Sequence, residues 1–485
     1  MTTIERFRSI LRFRTLSSAL VFPALVLPTL VDLAFILRAA DVAPVHTLAS
    51  LAPALALMWL LGGLVVSPHI GGRLPAHRQP DSQRLVFPVV PLVVASIAAA
   101  VAWMFMAPIF DVVTGVAGIS QDGHKYAQIR IAGLPMLAAL LVFRRHFDSG
   151  ESRVPLLWAV LVLNATNIGL NAAIFDDNLA GLAPSTSGFA TATVVAYAVA
   201  IAVAVAVAIK NDIEFSGVHW PSAESRDRGL LKGIRRTALR VASWSIPVLT
   251  VVGLLLLALA ADQVALTDAI AWATTSAPDD TFAPTWTNSL AGGPHRLLVA
   301  DWSAELARSR PPLYMAASTL VVSAASLVIA LAVGVADAVT SERCDGERGE
   351  VSGISAARDT ATALAVIISV PALAAFLAPQ GLLAPLTSDS YLTATAAPAL
   401  RVVFAWLPFA GIATVVIAFG DGTSRRRLLG FIALGSAASL STAYLLSLVL
   451  EVGFMGIWWG FAITSAVWMT AMIIDYFRRL DSRDD

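Results

Sequence analysis

Few residues in this sequence are equipped for chemistry, and the best placed of them sit inside long apolar runs. Asp32 lies in the stretch from Val21 to Leu37, whose other members are almost all apolar. A charged side chain at the depth of a hydrocarbon core costs roughly 2.5–3.5 kcal/mol on insertion scales, so an acid there needs a purpose. A carboxylate so enclosed is a candidate to take up and release a proton. The competing reading is an acid hydrated near the outer mouth, or one paired with Arg38. Asn164, Asn167 and Asn171 come next: spacings of three, four and seven residues put all three on one helix face. An amide stripe is costly against lipid, so that face should turn inward and either bond Asp32 or line a wet cavity. Thr191 and Thr193 can extend the same network. These six residues predict a proton-handling site; interhelical glue is the plainer reading of the amides.

Other side chains offer binding rather than proton transfer. Trp59, Met104, Tyr197, Trp244 and Trp406 fall within apolar runs and can line a site for a planar cation, although ordinary packing explains each as well. Arg130 and Arg401 are expected near the outer ends of two helices. There they either snorkel to the interface or, as a matched pair, hold an outer gate by binding carbonyls. Asp262 and Asp337 are expected at helix ends, where solvation is easy. Enzymatic signatures are missing. The seven histidines fall nearly all in loops, without zinc-protease spacing, and no Walker-type glycine loop occurs. No enzyme activity, metal or organic cofactor is expected.

The elements that must carry these residues are membrane helices. The chain has 485 residues, 57% hydrophobic and only 14% charged, against about 25% charged in ordinary soluble domains. Its formal net charge of zero provides no field to recruit nucleic acid. The single cysteine, Cys344, excludes a disulfide within the chain. Crossing the hydrocarbon core takes about 20 apolar residues. Twelve stretches qualify: 15–37, 48–67, 86–110, 126–143, 154–175, 188–209, 236–260, 312–337, 356–378, 395–419, 427–449 and 453–477. Several contain proline, which membrane helices tolerate when neighbours serve the freed carbonyls. Most of the 33 basic residues fall on one side of this layout, in clusters such as Arg6–Arg14, Lys210–Arg240, Arg425–Arg427 and Arg478–Arg483. That bias puts both termini in the cytoplasm of a multi-pass inner-membrane protein. No removable signal peptide is expected.

The layout divides into an N-terminal six-helix bundle (1–210), a polar cytoplasmic linker (211–235) and a C-terminal six-helix bundle (236–485). Segment 261–311 of the latter lies outside the membrane and carries Trp272, Trp286 and Trp302 among prolines. It is either a cap resting on the bilayer or a lid. An all-α, pseudo-symmetric architecture follows, since internal duplication is a common basis for transporters.

Several stretches resemble the multidrug and toxic-compound extrusion (MATE) family, part of a wider superfamily of drug exporters and lipid-linked-precursor flippases. They are Val31–Asp32–Leu33–Ala34–Phe35; the run from Tyr126 through Arg130 and Pro135 to Arg144–Arg145; Ser152–Arg153–Val154–Pro155; and Asn164 to Asn171. In the second half they are Pro398–Ala399–Leu400–Arg401, Leu407–Pro408–Phe409, Gly420–Asp421–Gly422–Thr423 and Met455–Gly456–Ile457–Trp458–Trp459–Gly460. The resemblance implies a V-shaped pair of bundles that alternately opens to either side, exporting amphiphilic or cationic small molecules in exchange for protons or sodium. It also makes Asp32, Asn164, Asn167, Asn171, Thr191 and Thr193 the expected cation-coupling set. Where this chain has Asn171, relatives often carry aspartate; an amide cannot titrate, so coupling would rest on Asp32 and a proton gradient, with sodium less favoured. The expected partners are an amphiphilic small molecule and the lipid bilayer, with no nucleic acid, the chain acting as a monomer. Two other readings stay open: a flippase or exporter of a lipid-linked precursor or specific metabolite, and a non-transporting membrane scaffold of the same fold.

Overall fold

The computed structural model describes residues 19–40, 44–66, 96–105, 122–149, 154–176, 184–210, 229–275, 312–345, 353–419 and 422–484. Among them all regular structure is helical. Eleven helices are long and apolar enough to cross a membrane: α1 (Val21–Ala39), α2 (Pro44–Val66), α4 (Asp122–Arg144), α5 (Leu156–Phe175), α6 (Thr186–Lys210), α7 (Val241–Ala265), α8 (Leu313–Thr340), α9 (Asp359–Leu377), α10 (Ser390–Phe419), α11 (Arg425–Val449) and α12 (Phe454–Arg479). A shorter apolar helix, α3 (Ser96–Phe105), stands at the third expected position. The protein is therefore a multi-pass helical membrane protein. Most of the expected linker (211–228) and of the expected extracytoplasmic segment (276–311) lies outside the described residues.

Packing between helices repeats with a shift of six. In the first half α1 packs on α5, α2 on α4, α4 on α6 and α5 on α6; in the second α7 packs on α11, α8 on α10, α10 on α12 and α11 on α12. Lipid tails supply no hydrophobic drive between helices, so close approach depends on small residues. On α6, Ala196, Ala200, Ala204 and Ala208 recur every fourth residue and are all buried. On α4, a Cβ at Gly123 would stand 1.8 Å from the Ser50 carbonyl oxygen of α2, so only glycine fits there. Helix starts are capped: both oxygens of Asp262 accept from the backbone N–H groups of Tyr314 and Met315 at 2.9 Å. Asp262 serves this cap from within a helix that runs over Gly229–Thr275, not from the easily solvated helix end expected of it.

The halves meet where α8 packs on α1 and α2, and α7 on α2. Near one end of this seam the backbones touch: a Cβ at Gly334 of α8 would stand 2.0 Å from the Ala19 carbonyl oxygen. Close by, Arg144 at the end of α4 forms an ion pair with Asp337 of α8, both almost wholly buried. The guanidinium also lies 4.2 Å over the Phe22 ring of α1. Asp337 is thus not the easily solvated acid expected from its place in the sequence, because the first half folds over it and supplies its counter-charge. Removing one member of such a pair strands the other charge out of water. Asp337→Asn is expected to cost about 3–5 kcal/mol, and Gly334→Val about 1–3 kcal/mol through overpacking, both read as lowered thermal stability of the purified protein.

Candidate functional site

Asp32 is fully buried inside the first half, among α1, α4, α5 and α6. The local sequence of α1 prepares its surroundings. Pro28 has no N–H to give, so the Ala24 carbonyl one turn earlier has no partner within the helix. The Asn164 amide of α5 donates to that carbonyl at 3.1 Å. The next carbonyl, Leu25, accepts from the Tyr197 hydroxyl of α6 at 3.3 Å. Four helix faces then converge by simple register: Leu25, Thr29 and Asp32 on α1; Tyr126 and Arg130 on α4; Asn164, Asn167 and Asn171 on α5; Thr193 and Tyr197 on α6.

The carboxylate sits in a ring of donors. Oδ1 accepts from the Asn171 amide at 2.9 Å, the Asn167 amide at 3.1 Å and the Thr193 hydroxyl at 2.7 Å. Oδ2 accepts from the Tyr126 hydroxyl at 3.1 Å and stands 2.6 Å from the same Thr193 hydroxyl. Asn167 also donates to the Thr193 oxygen at 2.8 Å. Arg130 adds charge: its Nη1 lies 3.6 Å from Oδ2, while Nη2 donates to the Thr29 hydroxyl at 2.7 Å. An isolated carboxylate here would carry a desolvation cost of several kcal/mol. Hydrogen bonds to an ionised group return about 1.5–3 kcal/mol each, so several donors and a counter-charge together can hold the ion.

The expected residues divide by geometry. Asp32, Asn167, Asn171 and Thr193 meet. Asn164 bonds the backbone of α1 and its own helix, not the carboxylate. Thr191 bonds the Ser187 carbonyl of its own helix, because a two-residue offset from Thr193 turns it to another side. Arg38 does not pair with Asp32; it reaches the Pro385 carbonyl at 3.4 Å. Arg130 and Arg401 do not form a matched pair either. Arg130 is buried in the Asp32 site, whereas exposed Arg401 donates to the Phe376 carbonyl at 3.2 Å. Among the candidate lining residues, Tyr197 belongs to the buried network and Met104 is 70% exposed on α3. Trp59 and Trp244 are half-buried against the core, and Trp406 packs on Phe461 with ring centroids 4.9 Å apart. Tyr126, Thr29 and Arg130 were not expected at the carboxylate. Their signal was available: Tyr126 and Arg130 are four apart, as are Leu25 and Thr29, and Thr193 and Tyr197.

This arrangement of helices has counterparts among solved structures. A MOP superfamily transporter from Pyrococcus furiosus aligns over 99% of this chain and 97% of its own, with TM-score 0.60 and 17% identity. A multidrug resistance MATE family transporter in the inward-facing conformation aligns over 96% and 98%, with TM-score 0.59 and 16% identity. An outward-facing one aligns over 98% and 96%, with TM-score 0.58 and 17% identity. The chain has the MATE transporter fold. No family model matches the sequence, and no curated protein matches it. Within the MATE fold, the Asp32 site falls in the first of the two six-helix repeats.

Thr193 carries the site's most connected hydroxyl. Thr193→Val keeps its shape but removes both contacts to the carboxylate, and is expected to cost about 1.5–3 kcal/mol. Thr193→Ser should stay close to wild type when the two are compared by thermal unfolding.

Proposed function

We propose that the protein is a secondary-active exporter of amphiphilic or cationic small molecules, working by alternating access and exchanging substrate for protons at Asp32. The observation that carries this reading is the sealed carboxylate tied at once to α4, α5 and α6. The MATE fold supports the transport class, and the multidrug resistance proteins that share it support the substrate class. The same reading places the chain in the cell inner membrane as a monomer, with both termini cytoplasmic and no bound cofactor.

The coupling follows from hydrogen-bond bookkeeping. The ionised carboxylate only accepts, and every neighbour turned to it donates. A proton arriving on either oxygen takes an acceptor position, so at least one donor must leave or, where it is the Tyr126 or Thr193 hydroxyl, turn round to accept. Each donor belongs to another helix, so the departure of one loosens α1 from α4, α5 or α6. Ala19, two residues before the start of α1, also touches Gly334 of α8. A change in how α1 is held is thereby passed to the seam between the halves, which has to rearrange for access to alternate. Sodium plays no part in this scheme.

Transport of a fluorescent organic cation in everted membrane vesicles tests the proposal. Wild type should respond to an imposed pH gradient, and Asp32→Asn should lose about 100-fold or more in gradient-driven rate, the lower end of what a positioned proton-transfer group contributes. Transport indifferent to both the gradient and the substitution would overturn it. Inactivity toward cations together with binding of an isoprenoid pyrophosphate would put a lipid-linked precursor in place of the drug-like substrate.

A further inference from the structure

The buried amide oxygens around Asp32 point the wrong way for economy. The side-chain oxygens of Asn164, Asn167 and Asn171 are buried and accept no hydrogen bond. Such groups lose hydration and regain nothing. For Asn167 and Asn171 the reason is plain, since their amide nitrogens face the carboxylate. A half-turn of each amide would aim its oxygen at Asp32. Two oxygens facing a carboxylate repel it, unless a cation sits between. With both amides turned, Asp32, Asn167, Asn171, Thr193 and Tyr126 would present the all-oxygen surroundings that hard cations take. The cluster therefore contains the ligands of a small cation site, arranged in the orientation that excludes one.

The carboxylate sets that orientation, and Arg130 supplies the positive charge that a bound cation would otherwise bring. Its guanidinium is only 8% exposed, lies 3.6 Å from Oδ2, and stays protonated at any physiological pH. Nη1 accordingly has no hydrogen-bond partner and serves the carboxylate by charge alone. The other ionisable groups facing the pair are the hydroxyls of Tyr126 on α4 and Tyr197 on α6, and α5 contributes amides only. We propose that Arg130 is a tethered counter-ion that takes the place of an alkali cation at Asp32, leaving a sodium site that is built but disarmed. An incoming metal ion would meet a like charge across a few ångströms of poorly polarisable interior. A proton meets the same charge, but it bonds directly to one carboxylate oxygen and needs neither a coordination shell nor the turning of the two amides. Arg130 is then the residue that fixes which ion the site accepts.

This assignment rests on Asp32 being the group that binds the coupling ion, yet its test needs no transport. The purified full chain is unfolded thermally at neutral pH in matched concentrations of sodium chloride and choline chloride. Wild type and Arg130→Lys should give the same Tm in both salts. Arg130→Met should gain a saturable, sodium-dependent rise of about 2 °C or more, as expected when a ligand binds only the folded state. Adding Asp32→Asn should abolish that rise. A saturable sodium effect in wild type that Asp32→Asn removes would overturn the proposal, and so would a folded Arg130→Met that ignores sodium. Should Arg130→Met fail to fold, Arg130→Gln is read by the same criterion. Failure of proton-driven transport beside these expected sodium results would sink the coupling reading and leave the assignment of Arg130 standing. Proton-driven transport beside a sodium-stabilised wild type would do the reverse.

Discussion

An ion at membrane depth has to be solvated by the protein, and the first half of this chain is arranged around that demand. Asp32 receives two hydroxyls, two amides and a guanidinium, drawn from three helices other than its own. None of these helices supplies the shell alone. α1 supplies the acid, the Ala24 carbonyl that Pro28 leaves free for Asn164, and the Leu25 carbonyl that anchors Tyr197. The buried alanine stripe of α6 lets its neighbours come close enough for such short side chains to reach. Packing and polarity are therefore not separate matters here, because bulkier contacts would put the donors out of range.

The second half repeats the helix packing but not the chemistry. Where α1 and α5 enclose the carboxylate, α7 and α11 leave a groove of about 590 Å³ lined by Gly253, Leu257, Leu440, Ser441, Tyr444 and Leu445. Its polar atoms are hydroxyls of Ser441 and Tyr444 and peptide groups. One framework thus accommodates both a sealed ionic site and an open, largely apolar surface groove. Backbone topology sets the framework, and a handful of side chains decides what it does.

Much of this was legible in the sequence. Apolar run lengths and basic clusters located the helices, because the lipid core imposes both, and the isolation of Asp32 in its run marked it as unusual. The face formed by Asn164, Asn167 and Asn171 was readable from spacing, but which of its amides reach Asp32 was not. Asn164 is diverted by a carbonyl that Pro28 frees on another helix, a contact between segments about 140 residues apart. Arg130 was misplaced for a related reason. Near a helix end, snorkelling is the cheap assumption for an arginine, and only the three-dimensional meeting of α4 with α1 shows a carboxylate within reach. Asp337 likewise looked solvated until its partner, Arg144, arrived from the other half. Sequence periodicity shows which residues share a face, but not which faces meet.

The Arg144–Asp337 pair joins the halves by a contact that is strict about composition and lenient about motion. Stripping away one charge takes from the other its counter-charge in a dry seam. If the seam itself parts, both ions meet water together, and hydration offsets most of the attraction they give up. Closure at that end can therefore be firm while costing little to undo. Dissolved salt would then enter the balance only after the first water molecules do, so ionic strength should act on how long the parted state lasts more than on how often it forms.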